Sequence, residues 1–165
     1  MTRCCSCGVD EVRANIGFAL RRLTLADVDA VAIIHRAAFD QRLPWLAGLH
    51  TPEEDRAFFR DRVFSECEVW GDGTDRITGF IAFRLDWIDQ LYVLPDHQVQ
   101  GIGGALLDFA KSRSARLQLW TFQRNAAARS FYEKRGFIAL RETDGRDNEE
   151  REPDILYGWN RNAEA

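Results

Sequence analysis

The residues with the clearest chemical meaning stand together at Gln98-Val99-Gln100-Gly101-Ile102-Gly103-Gly104, just after the apolar run that ends at Pro95. Glycines at the start of an expected helix leave consecutive backbone N–H groups bare. The helix dipole adds positive potential there, so the segment can cradle an anion such as a phosphate. The spacing excludes two nucleotide motifs. A dinucleotide fingerprint needs G-x-G-x-x-G, and Leu106 stands where the third glycine belongs. A Walker loop needs Gly-Lys-Ser/Thr, and Gly103-Gly104-Ala105 offers neither the lysine nor the hydroxyl.

Such a loop needs a strand before it and a helix after it. Trp87 to Leu94 reads as the strand, stopped by Pro95, and Ile102 to Ser114 as the helix, with Ile102, Leu106, Phe109 and Ala110 on its buried side. Upstream, Phe18 to Arg22 predicts a short strand. Thr24 caps a helix that runs to about Phe39, with Asp27 in its first turn. Thr51-Pro52-Glu53-Glu54 is a capping box that opens a second helix, expected to end near Phe64. Glu68 to Trp70 and Ile77 to Arg84 predict a hairpin around Gly71-Asp72-Gly73. Downstream, Arg116 to Phe122 alternates as a strand, Asn125 opens a helix that Gly136 closes, and Phe137 to Arg141 and Pro153 to Trp159 are the last strands. The order β-α-α-β-β-β-α-β-α-β-β predicts a mixed α/β fold around one sheet, with too few βαβ units for a barrel.

The chain has 165 residues, which predicts one domain over 16–165 behind a disordered or appended tail at 1–15. A net charge of −4 argues against broad nucleic-acid binding, which needs a basic footprint, and leaves room for a cationic or small-molecule substrate. Phe80 to Phe83 is typical of the apolar stretches and far too short to span a bilayer. MTRCCSCGVDEV lacks the apolar core of a signal peptide. The expectation is a cytoplasmic protein without membrane partners. Cys4, Cys5 and Cys7 lack a nearby histidine and the C-x-x-C pairing of a zinc site, so they read as reduced thiols and no metal is expected. Cys67 reads as a small core hydrophobe.

Three ordered segments together resemble the GNAT (Gcn5-related) N-acetyltransferase superfamily. Gln98, Gly101 and Gly103 fill its Q-x-x-G-x-G signature. Asn125 to Phe137 is similar to its N-x-x-A-x-x-F-Y-x-x-x-G-F segment, and Trp87 to Pro95 to its central strand. The resemblance covers residues 18–160. It implies the acyl-CoA N-acyltransferase fold, with the sheet splayed in the middle, and acetyl-CoA as co-substrate, with no metal. It also implies direct attack of a primary amine on the acetyl thioester in a ternary complex. Leu91 and Val93 are the expected backbone partners of pantetheine, and the Leu91 N–H the donor to the thioester carbonyl. Val99, Gln100, Gly101, Ile102, Gly103 and Gly104 would hold the pyrophosphate with Gln98, and Asn125 the pantetheine arm. Tyr132 matches the general acid, a phenol suited to protonating a departing thiolate. Asp89 is the candidate base, acting through water, because the closer matching position, Trp87, cannot accept a proton.

The resemblance also assigns acceptor choice to the loop between the first two helices and to the last hairpin. Here those are Arg42–His50 and Thr143–Glu152. Trp45, His50 and Glu149 are the candidate acceptor residues. A tryptophan face and an acidic loop suit a small-molecule amine carrying positive charge. His35 reads as structural. An acyl-CoA-binding sensor without turnover is the alternative function, and a homodimer is possible within the family.

Overall fold

The computed structural model describes residues 11–13, 18–73 and 75–163. Cys4, Cys5 and Cys7, and with them the expectation for the thiols of the tail, lie outside the described residues. Eight strands form one sheet in the order β1-β2-β3-β4-β5-β6-β8-β7. They are β1 (Glu11–Arg13), β2 (Ala19–Arg22), β3 (Glu68–Asp72), β4 (Gly79–Arg84), β5 (Trp87–Val93), β6 (Arg116–Phe122), β7 (Ile138–Glu142) and β8 (Asp154–Asn160). All neighbours are antiparallel except β5 and β6. The element order matches the expectation, with one correction. Glu11–Arg13, expected in the tail, pairs with Ala19–Arg21 and extends the sheet by an edge strand.

Helices cover both faces. α1 (Val28–Arg42) is preceded by a 3-10 turn with a capping box, in which the Thr24 hydroxyl accepts from the Asp27 backbone N–H and the Asp27 carboxylate accepts from the Thr24 backbone N–H. α2 (Pro52–Phe58) starts at the expected Thr51–Glu54 box. It does not stop at Phe64: a π turn (Phe59–Val63) leads into α3 (Phe64–Glu66). α1 and the π turn bury Val31, Ile34, Phe59 and Val63 against Val69, Phe80 and Ala82 of the sheet. α4 (Ile102–Arg113) and α5 (Ala126–Glu133) cover the other face, where Leu106, Leu107, Phe109 and Tyr132 meet Ile81, Leu117, Leu119 and Tyr157. Each such side chain, fully buried, contributes roughly 1.5–3 kcal/mol. No helix among the described residues is long and apolar enough to cross a membrane.

The feature that positions the site is a defect in this sheet. β4 and β5 pair along their whole length, as do β6 and β8. Between them β5 and β6 pair only at Trp87–Gln118, with one further bond from the Gln118 N–H to the Asp86 carbonyl. Beyond that point the two strands diverge, and β5 has a free edge in the middle of the sheet.

Candidate active site

A crevice of about 680 Å³ fills the divergence, between β5 on one side and α5 on the other. The hydrogen-bond alternation of β5 fixes what faces it. The Leu94 N–H donates to the Thr78 carbonyl at 2.8 Å, so Leu94 and Tyr92 bond toward β4. Leu91 and Val93 are the intervening residues and turn their N–H and C=O groups toward the crevice. The structure therefore exposes the two backbone positions that the resemblance assigned to pantetheine.

The phosphate loop closes one end. The Gln98 side chain donates to the Val93 carbonyl at 3.0 Å and accepts from Arg42 at 2.7 Å, so Gln98 ties the loop to both β5 and α1. Gln100 folds back onto the Asp96 carbonyl. Gly101 takes φ +93° as the N-cap of α4 without a side-chain cap. The first intrahelical bond runs from the Ala105 N–H to the Gly101 carbonyl, which leaves the N–H groups of Ile102, Gly103 and Gly104 as unused donors. Val99 has φ +63° and a fully exposed side chain, a strained conformation for a β-branched residue. Arg42, Lys134 and Arg135 line the same crevice. Arg135 lies flat on Phe131, 3.9 Å from its centroid, and a Cβ at position 104 would press against the Arg135 guanidinium at 3.1 Å. Asn125 caps α5 by accepting from the Ala128 N–H at 3.1 Å, and it also lines the crevice.

These features fit coenzyme A. A free strand edge suits an amide chain, orphan N–H groups and three cations suit its phosphates, and Ala127, Ala128 and Ser130 keep the opposite wall low.

A second cavity, about 470 Å³, opens on the other face of the sheet. Its floor is Tyr92 of β5 with Trp120 and Phe122 of β6, and its rim is the loop before β8, with Asp147, Asn148 and Glu150. Burial pushes the Tyr92 phenol up to about 12, the Glu150 carboxylate adds to that, and Arg36 opposes it. His35 packs edge-on to Tyr92 at 4.8 Å. Burial lowers its imidazole to about 4, outweighing the attraction of Asp55, so it is neutral at pH 7.

Tyr132 lies in the core beside the crevice, in contact with Phe131, Phe137 and Tyr157. Phe131 lines the crevice. Burial raises the Tyr132 pKa well above the ordinary phenol value, so the hydroxyl keeps its proton and is able to donate it. It has no hydrogen-bond partner among the described residues.

Other expected site residues fall elsewhere. Asp89 was placed one strand period from Leu91. A β-bulge intervenes, because Ala82 pairs with Gln90 while Phe83 pairs with Ile88, so Asp89 is the extra residue. It pairs with Arg84 at 3.1 Å and lines neither cavity. Trp45, His50 and Glu149 do bring the two expected loops together, but as mutual clamps rather than cavity walls. Trp45 Nε1 donates to Glu152 at 2.8 Å, and His50 Nε2 lies 3.5 Å from Glu149. The Trp45 face is already occupied by Arg124 at 5.1 Å, which removes it as a platform for a substrate cation.

A model of the acetyltransferase (GNAT) domain matches residues 63–139, the span from the π turn through β7 that carries the crevice.

That segment is similar to the GNAT family of acetyltransferases.

Among curated relatives, an uncharacterised N-acetyltransferase of Methanocaldococcus jannaschii is 32% identical over 112 residues, 58% of this chain and 42% of that one. The chain spans 30–55% of the length of the curated relatives it matches. Two solved structures show the fold. Apo YjaB from Escherichia coli has a TM-score of 0.69 at 22% identity, covering 87% of this chain and 98% of that one. The PaiA N-acetyltransferase of Thermoplasma acidophilum, solved with coenzyme A, has a TM-score of 0.63 at 20% identity, covering 88% and 99%.

Sequence reading missed Arg42, Lys134, Arg135, Tyr92, Trp120 and Arg141 as cavity residues. Arg42 ends α1 and Lys134 and Arg135 follow α5, at positions that no motif specifies. The last three could have been found only from strand register. Trp120 and Arg141 both pair with Leu156, which puts them on one row across β6, β8 and β7.

Proposed function

We propose that this chain is an acetyl-CoA-dependent N-acetyltransferase that acylates the primary amine of a small molecule bound in the second cavity. The single observation that carries the reading is the free edge of β5, with Leu91 and Val93 facing a crevice that ends on the bare N–H groups of Ile102 to Gly104. Acetyl-CoA supplies an acetyl thioester. The protein's own parts then divide the work. The Leu91 N–H is the donor to a developing oxyanion. The loop and its cations hold the phosphates, and Tyr132 holds a proton for the departing sulfur. Asp147 and Glu150 attract the ammonium form of the acceptor. Water beside Glu150 and Tyr92 carries its proton away before attack.

The test is release of free thiol from acetyl-CoA with a panel of amines. Turnover with a small amine that is protonated in solution, weakened several-fold in KM by Glu150→Gln, is the expected outcome. Activity confined to protein substrates or to amines without positive charge would overturn the acceptor class. A second reading, an acyl-CoA sensor, draws on the position of Asp89 outside both cavities. Tight acetyl-CoA binding with no thiol release for any amine would favour it.

A further inference from the structure

Among the described residues that line the second cavity, Arg141 is the one cation in an otherwise acidic and aromatic enclosure. It reaches from β7 to lie 5.1 Å over the Trp120 ring. It makes no hydrogen bond or ion pair with any described residue. The Asp154 carboxylate of the same cavity is engaged elsewhere: it accepts from the Thr143 hydroxyl and from Asn148 at 3.2 Å. Arg141 lines the cavity beside Trp120, and its guanidinium N–H groups are unspent. A guanidinium is a fork that matches a carboxylate with two parallel hydrogen bonds. Tyr92, Asp147 and Glu150 line the same cavity and offer a phenol and two carboxylates to an ammonium.

We propose that Arg141 recognises a carboxylate on the acceptor, so that the acceptor is a zwitterion: its amine lies against Tyr92, Asp147 and Glu150 and its carboxylate lies on Arg141 beside Trp120. This rests on the acetyl-transfer reading and names its substrate class. An acceptor with only positive charge would be repelled by Arg141. A dianionic phosphate would be repelled by Asp147 and Glu150. A monoanionic carboxylate with a separate ammonium meets an opposite charge at each end.

The experiment compares L-methionine, L-phenylalanine, L-lysine and 4-aminobutyrate, each beside its carboxamide, with acetyl-CoA as donor. An α-amine is less basic in the amide than in the acid, so intrinsic reactivity does not favour the acid at neutral pH. The expected result is at least tenfold higher kcat/KM for the acid of at least one pair. That ratio falls at least tenfold in Arg141→Gln and lies between the two in Arg141→Lys, which keeps the charge without the fork. Equal use of acid and amide by the wild type, or an unchanged ratio in Arg141→Gln, would overturn the proposal. If no amine is turned over, acetyl transfer fails separately, and calorimetric titration of the coenzyme A complex with the same pairs decides. Tighter binding of an acid than its amide, lost in Arg141→Gln, upholds the carboxylate site. Absence of that difference removes it. The wild-type comparison stands even if a variant does not fold.

Discussion

The two cavities lie on opposite faces of one strand and are built by opposite means. The crevice beside α5 is made of main chain: the free edge of β5, the turn at Gly101 and the first N–H groups of α4. Its side chains contribute mostly small size and positive charge. The cavity over Tyr92 is made of side chains, with aromatic floor residues from β5 and β6, one arginine from β7 and a rim of carboxylates. A main-chain site tolerates change in most side chains but not in backbone conformation or in the space above it. A side-chain site can be retuned one residue at a time while the fold stands. This is the physical reason one fold can keep its donor and vary its acceptor.

The largest expected effect comes from filling the main-chain site. A Cβ at position 103 would meet Phe131 at 3.6 Å and Val93 at 3.7 Å, ordinary contacts, so alanine fits there. The indole of Gly103→Trp must occupy the crevice itself. Acetyl-CoA binding should fall by more than about 1,000-fold, or roughly 4 kcal/mol, while circular dichroism and the cooperativity of unfolding stay as in the wild type. Acetyl-CoA affinity near the wild-type value in a folded Gly103→Trp would mean the crevice is not the donor site.

Tyr132→Phe separates chemistry from packing in the core beside the crevice. A general acid typically contributes about 10²–10⁴-fold, so kcat should drop by roughly 100-fold or more with little change in acetyl-CoA affinity. Stability should move the other way. The hydroxyl has no partner among the described residues, and removing an unpaired buried polar group relieves its desolvation. Thus Tm should be equal or higher. A lower Tm with unchanged kcat would make Tyr132 a core aromatic and nothing more.

The contrast also explains what could be read in the sequence. The crevice was legible because its signals are local: Gln98 to Gly104 and Asn125 to Phe137 each put their own residues in place. Capping boxes at Thr24 and Thr51 were legible for the same reason. Asp89 was misplaced because a bulge shifts the period of a strand by one residue without any residue type to announce it. The second cavity was illegible because Tyr92, Trp120 and Arg141 meet only through register across four strands. The acidic loop at 144–150 was visible as charge, but Trp45, His50 and Glu149 turned out to join loops rather than line the floor.

A pH experiment sharpens the side-chain half of the comparison. His35 props Tyr92 from below, and burial holds its imidazole near 4 against an ordinary 6.5. The unfolded chain therefore binds the proton more readily than the folded one. The stability from the neutral ring is present in full above pH 6.5 and is lost as pH falls toward 4. The loss should be about 2–3 kcal/mol across that window. Urea titrations at pH 7, 5.5 and 4.5 would measure it against His35→Gln, in which this part of the slope should be absent. Parallel pH profiles for the two proteins would place the acid sensitivity elsewhere.

The smallest effect belongs to the main-chain half and tests whether its backbone is under strain. Val99 adopts φ +63°, where a β-branched side chain crowds its own carbonyl, and its side chain is fully exposed and packs on nothing. Asparagine is far better tolerated in that region and keeps a Cβ, so it relieves the crowding without the added unfolded-state freedom of glycine. Val99→Asn should therefore raise stability by about 1 kcal/mol, which for a domain of this size is a Tm increase of roughly 2–4 °C. Differential scanning calorimetry would detect it. A fall in Tm would mean that the valine methyls make contacts the folded chain needs, and that the loop after Pro95 is held by side chains as the opposite cavity is.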